Sequence, residues 1–318
     1  MKRLVKTAFI ALICNFIVND AMAAPKRDYE LRRTDKEFFT TPEAACIGEQ
    51  VLAYQRVTGG WPKNIDMCRP HTPEELAEIK TQRDRRNDST TDNNATTTQM
   101  TFLARLYQAT GDTRYRDAFL AGMEYLLSGQ YPNGGWPQFW PDPQGYQIHI
   151  TFNDSAMANT LTLLRDIFEQ HEPYGGNLTD ETLRTRLRVA FEKGIDCILA
   201  TQIRVDGKPT VWCQQHDRET FAPAPARSYE LPSFCSAESP QIVGLLMQLP
   251  APDKRIKEAV HGAMAWFEAN KIMGYRLERT GRPKSPESDT RLVADPAAGP
   301  LWGRFYDLEN CEIYVCDR

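Results

Sequence analysis

Apolar positions recur at helical spacing in three successive pairs of segments along this chain. In residues 95–110, ATTTQMTFLARLYQAT, the side chains of Met100, Leu103, Leu106 and Tyr107 follow three- and four-residue intervals, and Gly111 supplies a stop. A partner helix is expected from about Arg114 to Gly129. The second pair reads Ser155 to Gln170, with Met157, Leu161, Leu164 and Phe168 on one face, and then Asp180 to Thr201. The third begins near Glu238 with IVGLLMQL and continues from Arg255 to Asn270. Strands are expected only as short pieces within loops such as Gly145 to Phe152.

A second pattern is laid over the first. VLAYQRVTGGWPKN (Val51 to Asn64), LLSGQYPNGGWPQF (Leu126 to Phe139) and ILATQIRVDGKPTVW (Ile198 to Trp212) each close an apolar run with a Gln, then turn, then place a Trp. Gln55, Gln130 and Gln202 stand 75 and 72 residues apart, a period that suits two helices plus a long connecting loop. The expected fold is therefore mainly α: a toroid of about three helical hairpins, (α/α)3-like, with short irregular strands and long loops. Such a ring gathers its inter-repeat loops on one rim, where a ligand site belongs.

The first residues change the picture of where the protein acts. Lys2, Arg3 and Lys6 precede an apolar stretch from Ala8 to Val18, and Ala21-Met22-Ala23 completes a secretory signal peptide. Residues 24–318 are then expected to form a single catalytic domain, exported to the periplasm or beyond and soluble, with no membrane contact in the mature form and no partner copy. Cleavage after Ala23 shifts the formal balance from −4 to −6, which argues against nucleic acid as a partner. It also leaves seven of the eight cysteines, and an oxidising compartment favours pairs such as Cys46 with Cys68 or Cys311 with Cys316. No Cys-x-x-Cys occurs and histidines are few, which speaks against a zinc or thiol redox site.

Each hairpin's first helix is preceded by a polar cluster: TTDNNA at 90–95, TFNDSA at 151–156 and CSAESP at 235–240. Asp, Asn and Ser cap helices, and that is one reading. The other is that Asp92 and Asp154, with neighbouring amides including Asn93, supply the oxygens that a hard cation prefers. Trp61 and Trp136 either fill the gap between hairpins or offer ring faces to sugars. Arg227, in the proline-stiffened stretch HDRETFAPAPARSYELPSF, reads on its own as a loop residue salt-bridged to Glu230. His216 and Asp217 are adjacent, a poor arrangement for an acid/base pair, and no Gly-x-Ser-x-Gly elbow occurs.

Taken together, GGWPKN, TDNNATTTQMTFLARLY, GGWPQF, ITFNDSAM, WCQQHD, ARSYELPS and LWGRFYDLE, in this order, resemble the pectate lyases of polysaccharide lyase family ten from about Cys46 onward. The resemblance implies a helical toroid that cleaves polygalacturonate by β-elimination with Ca2+. It implies that Asp92, Asn93 and Asp154 hold calcium and the substrate carboxylate, and that Arg227 is the Brønsted base. Lys63, Arg291 and Arg304 become partners for uronate carboxylates. It also implies a further helix beyond Arg318, and a basic residue on the helix after the third polar cluster, where Ile242 to Leu249 has none. Two other readings remain at this point. An inverting glycoside hydrolase would pair Asp92 or Asp154 with Glu238, and a non-catalytic uronate-binding protein would not need Arg227.

Overall fold

The computed structural model describes residues 30–281 and 288–315; the expected leader and Cys316 lie outside the described residues. These residues divide into two compact units, each drawn from two stretches of chain, although no linker composition marks a boundary. The larger combines residues 30–201 with 214–232, and the smaller combines 202–213 with the described residues from 233 onward.

In the larger unit, helices α1 (Pro42–Tyr54) and α2 (Pro73–Thr81) precede the hairpins α3 (Thr97–Thr110) with α4 (Thr113–Gly129) and α5 (Ala156–Phe168) with α6 (Glu181–Thr201). The smaller unit holds the hairpin α7 (Ser239–Met247) with α8 (Lys254–Ala269). All three expected helix pairs are present. Helix α3 stops where predicted, because Gly111 adopts φ +73° and its N–H donates to Tyr107 O at 2.8 Å. Helices α1 and α2, which apolar periodicity did not reveal, each open on Thr-Pro-Glu; the Thr41 and Thr72 hydroxyls cap them, and Glu75 completes a capping box.

The faces that the spacing marks point inward: Met100, Leu103 and Leu106 on α3 and Leu161 and Leu164 on α5 are fully buried, and Phe102 on α3 and Phe119 on α4, which the spacing did not mark, join them. Each contributes about 1.5–3 kcal/mol by leaving water. The smaller unit is organised by aromatic rings, with Trp266 edge-on to Phe267 and Tyr306 at 5.3 and 4.9 Å. One element exceeds expectation: strands Tyr275–Thr280 and Asp289–Ala294 form a six-residue antiparallel hairpin. Its sequence alternates Leu277 and Leu292 with Arg276, Glu278 and Arg291, the period-two signal of a strand. The Cys46–Cys68 disulfide is not made. Cys46 lies on α1 as a free thiol within 3.9 Å of the Gln50 amide.

The Gln/Trp repeat has a physical cause. Gln55 Nε2 donates to Gly59 O at 2.9 Å and to Ala118 O of α4 at 2.8 Å. Gln130 does the same to Gly134 O at 3.0 Å and Ala190 O of α6 at 2.8 Å, and Gln202 to Thr210 O at 2.8 Å and Ala259 O of α8 at 2.9 Å. One side-chain amide thus closes the turn that follows it and ties that turn to the second helix of the next hairpin. The indole N–H groups of Trp61 and Trp136 return to Val51 O and Leu126 O on the preceding helices, each at 2.7 Å. Trp61 and Trp136 are 0% and 3% exposed, so neither has a ring face for a sugar, and the platform role expected of them is corrected to packing.

Turn and helix touch backbone to backbone. A Cβ on Gly59 (φ +91°) would stand 2.2 Å from Ala121 O, and one on Gly134 (φ +93°) would stand 2.1 Å from Lys193 O. The third turn has no glycine at this point; helix α8 supplies Gly262 instead, where a Cβ would lie 2.3 Å from Pro209 O. Gln55→Ala, which removes both amide hydrogen bonds at this joint and strands the Gly59 carbonyl, is expected to lower unfolding stability by about 2–4 kcal/mol in urea titration. An unchanged midpoint would show that the clasp does not hold the joint.

Candidate active site

In the larger unit the loops leading out of the Gln/Trp turns are laced together by short antiparallel bridges. Pro62 pairs with Ser89, Thr90 with Phe139, Pro137 with Ile150, Ile150–Thr151 with Gln215–His216, and His216 with Pro223. Thr90 N donates to Trp61 O at 3.1 Å, Thr151 N to Trp136 O at 3.0 Å, and Ala224 N to Gln215 O at 2.9 Å. A continuous strip therefore runs from the Lys63 turn to the approach of Arg227. His216 belongs to this lacing: it is fully buried, it bonds Phe221 O at 2.9 Å, and burial pushes its pKa down to about 4. It is no acid/base partner for Asp217.

Two polar clusters emerge from the strip in the same conformation. Asn93 (φ 51°, ψ 33°) matches Asp154 (φ 48°, ψ 34°), so Asp92 corresponds to Asn153 and Asn93 to Asp154. Asn and Asp tolerate this left-handed region better than other side-chain-bearing residues. Asp92 and Asn153 are buried, whereas Asn93 and Asp154 are exposed. In the smaller unit Trp212 N donates to Ser239 Oγ at 3.0 Å as Trp61 N does to Thr96 Oγ1, which puts Cys235 in the register of Asp92.

Asp92 is the centre of the cluster. Its Oδ2 accepts from the Lys63 ammonium and from Gln138 Nε2 at 2.9 Å; its Oδ1 accepts from Asn93 N at 3.0 Å and Asn153 Nδ2 at 3.2 Å. The same Asn153 amide donates to Asp154 Oδ2 at 3.0 Å and so stands between the two carboxylates. Asn93 Nδ2 reaches Asn64 Oδ1 at 2.9 Å. The structure thus gathers Lys63, Asp92, Asn93 and Asp154, and adds Asn153 and Gln138. The signal for Gln138 was in the sequence: aligning GGWPKN with GGWPQF sets it opposite Lys63.

The donor set suits a hard divalent cation. It holds two carboxylates and several amide oxygens, and Gln138 Oε1 is buried with no hydrogen-bond partner. Among the described residues no three His, Cys, Asp or Glu side chains converge, so a cation here would draw on amides and on its ligand to complete its shell. Asp92 and Asp154 are the carboxylates that would hold it.

Arg227 is placed otherwise. Its Nε donates to Glu230 Oε2 at 2.7 Å and its Nη2 to Glu230 Oε1, while the guanidinium lies 4.8 Å over the Tyr229 ring. The hydrogen bond to Glu230 raises the Arg227 pKa against a smaller opposing effect of burial. Burial pushes the Glu230 carboxyl up, yet the bonds from Arg227 bring it below its ordinary range. In the smaller unit Arg304 Nη2 bonds the buried Glu238 at 3.0 Å, and Cys235 Sγ donates to the same carboxylate. Arg291 stands on the exposed hairpin, bonded to Asp289 at 2.6 Å.

Two solved structures are similar to this chain in fold and sequence. A family 10 polysaccharide lyase from Cellvibrio cellulosa has 35% identity, covers 86% of this chain and 80% of its own, and superposes with a TM-score of 0.74. A mutant of the family 10 polysaccharide lyase from the same organism, in complex with trigalaturonic acid, has 34% identity, coverages of 87% and 82%, and a TM-score of 0.75. No curated protein matches the chain. The likeness defines the chain as a polysaccharide lyase with a mainly α fold. Its family is the pectic acid lyases, whose family model matches residues 55–318, and the chain belongs to it.

Because the folded-state pKa of Glu230 is depressed, its pair with Arg227 stabilises the fold above the ordinary carboxylate range and is lost as pH falls through the depressed value. The denaturant midpoints of the wild type and Glu230→Gln should therefore lie apart at pH 7 and converge below about pH 4. A gap that stays constant down to pH 3 would show that the pair adds nothing to stability.

Proposed function

We propose that the chain is an exported pectate lyase that cleaves α-1,4-linked polygalacturonate by calcium-assisted β-elimination to 4,5-unsaturated oligogalacturonides. The observation that carries the reading is the Lys63–Asp92–Asn153–Asp154 cluster in a chain of the pectic acid lyase family. The complex of the Cellvibrio mutant with trigalaturonic acid supports the substrate class. Family membership speaks against the hydrolase and binding-module readings.

A calcium ion held by Asp92 and Asp154 would supply positive charge against the C6 carboxylate of a bound uronate and so acidify its C5 proton. The chain's own groups do the rest. Lys63, 28% exposed where Asp92 is 1%, can share its ammonium with an arriving carboxylate without leaving the cluster. Asn153 and Gln138 keep Asp92 in one orientation. Arg227 takes the C5 proton, the C5–H electrons form the C4=C5 bond, and the C4–O bond breaks, with the departing oxygen taking a proton from water. For this Arg227 must first part from Glu230 and give up a proton, since the pair holds the guanidinium cationic. The same ion pair favours a second reading, in which Arg227 stays charged and binds a substrate carboxylate.

Incubation with polygalacturonate and calcium should raise ultraviolet absorbance from the unsaturated product, and chelator should abolish the rise; reducing ends without absorbance would mark a hydrolase. Arg227→Lys should lower kcat by about a hundredfold or more if Arg227 is the base. A near-normal kcat with raised KM would assign it to carboxylate binding instead. Export predicts that protein recovered from the periplasm or medium begins at Ala24, read by mass spectrometry of its N-terminal peptide.

A further inference from the structure

Two cavities of the larger unit meet at Arg105 on α3, with Glu172 and Pro173 in both walls. The smaller, about 310 Å³, starts at Asn94 and follows Thr97 and Thr101 along α3, with Asn159 and Thr162 of α5 opposite. The larger, about 660 Å³, lies beyond Arg105 against Phe39, Gln108 and the loop at 173–176. Their walls are fixed. The Thr101 hydroxyl bonds both Thr97 O and the Tyr174 hydroxyl at 2.8 Å, and Gln108 Nε2 donates to Pro173 O at 3.0 Å and Gly175 O at 2.9 Å.

The charges around these cavities are matched, with one exception. Lys36 bonds Glu172 at 2.5 Å, and Asp166 is engaged by Arg165 and His171. Arg105 has the Arg33 carbonyl on Nη1 at 2.8 Å and the Phe39 ring at 6.0 Å, and among the described residues no carboxylate pairs with it. A guanidinium carries five donors in a planar fork, so Nε and Nη2 keep the geometry that grips a carboxylate bidentately. Burial draws the Arg105 pKa down, against a smaller opposing effect of Tyr174, while Glu172 and Asp166 on the cavity walls are engaged by Lys36, Arg165 and His171. A half-buried cation at the junction of two cavities, beside hydroxyl and amide groups, has the chemistry of an acidic-sugar site.

We propose that Arg105 anchors a second binding site, distinct from the Asp92 cluster, for the carboxylate of a uronic acid residue. The hydroxyl and amide groups of Thr97, Thr101, Asn159 and Thr162 meet the sugar's hydroxyls. The choice of a uronate rests on the pectate reading of the active site.

The test is calorimetric titration of the full chain with trigalacturonate in chelator. Wild type is expected to show a binding event that Arg105→Met weakens about ten- to a hundredfold and Arg105→Lys weakens less. Lys63→Met should leave that event intact, and Arg105→Met should cleave polygalacturonate at the wild-type rate. Wild-type affinity in Arg105→Met overturns the proposal, as does loss of the event in Lys63→Met, which would return it to the Asp92 cluster. Should Arg105→Met fail to fold, Ala109→Trp fills the larger cavity without altering the guanidinium, and unchanged affinity there counts against the site equally. Inorganic phosphate that competes as well as trigalacturonate would reveal a simple anion pocket and overturn the sugar assignment. Absence of unsaturated product from the wild type with calcium would instead sink the pectate reading, so the two failures are separable.

Discussion

The side-chain amides of Gln55, Gln130 and Gln202 each give both protons to carbonyls, one in the turn that follows and one in the second helix of the next hairpin. A helical carbonyl has a spare lone pair after its own helical bond, and the amide uses it without disturbing the helix. The contact is possible only where one backbone can approach another, which is why a glycine faces each joint, on the turn at Gly59 and Gly134 and on the helix at Gly262. Moving the glycine from one surface to the other preserves the fit, so contact distance is the constrained quantity and residue position is not.

The antiparallel bridges depend on this joint, because they begin at residues the clasped turns position: Pro62 follows Trp61, and Pro137 follows Trp136. The strip in turn fixes left-handed conformations at Asn93 and Asp154 that isolated loops would rarely keep. A buried carboxylate such as Asp92 is tolerated because four donors surround it. The active-site geometry is thus built by backbone hydrogen bonding well before any ligand is involved.

Most of this fold was legible in the sequence. Periodicity placed α3 to α8 because their core faces are long and apolar, and Gly111 and the polar clusters marked their ends. Helices α1 and α2 escaped because their signal lies in Thr-Pro-Glu caps rather than in an apolar stripe. The acid/amide clusters were visible as composition, and their left-handed registers were not, since these follow from tertiary lacing. Trp61 and Trp136 misled for the same reason: a Trp beside polar loops looks alike in sequence whether its ring is open or, as here, locked to Val51 O and Leu126 O. The Arg227–Glu230 pair was readable from proximity alone.

The two clusters of the larger unit share one backbone shape but reverse the order of acid and amide, Asp92-Asn93 in one and Asn153-Asp154 in the other. Repeated loops with identical sequences would present the same face twice and could not distinguish the two ends of a linear ligand. Reversal sinks one carboxylate and lifts the other, so a frame assembled from near-copies acquires a head and a tail. The exposed position of one cluster is thus an amide and that of the other an acid, with Lys63 in the turn that leads to the first and Gln138 at the matching place in the turn that leads to the second.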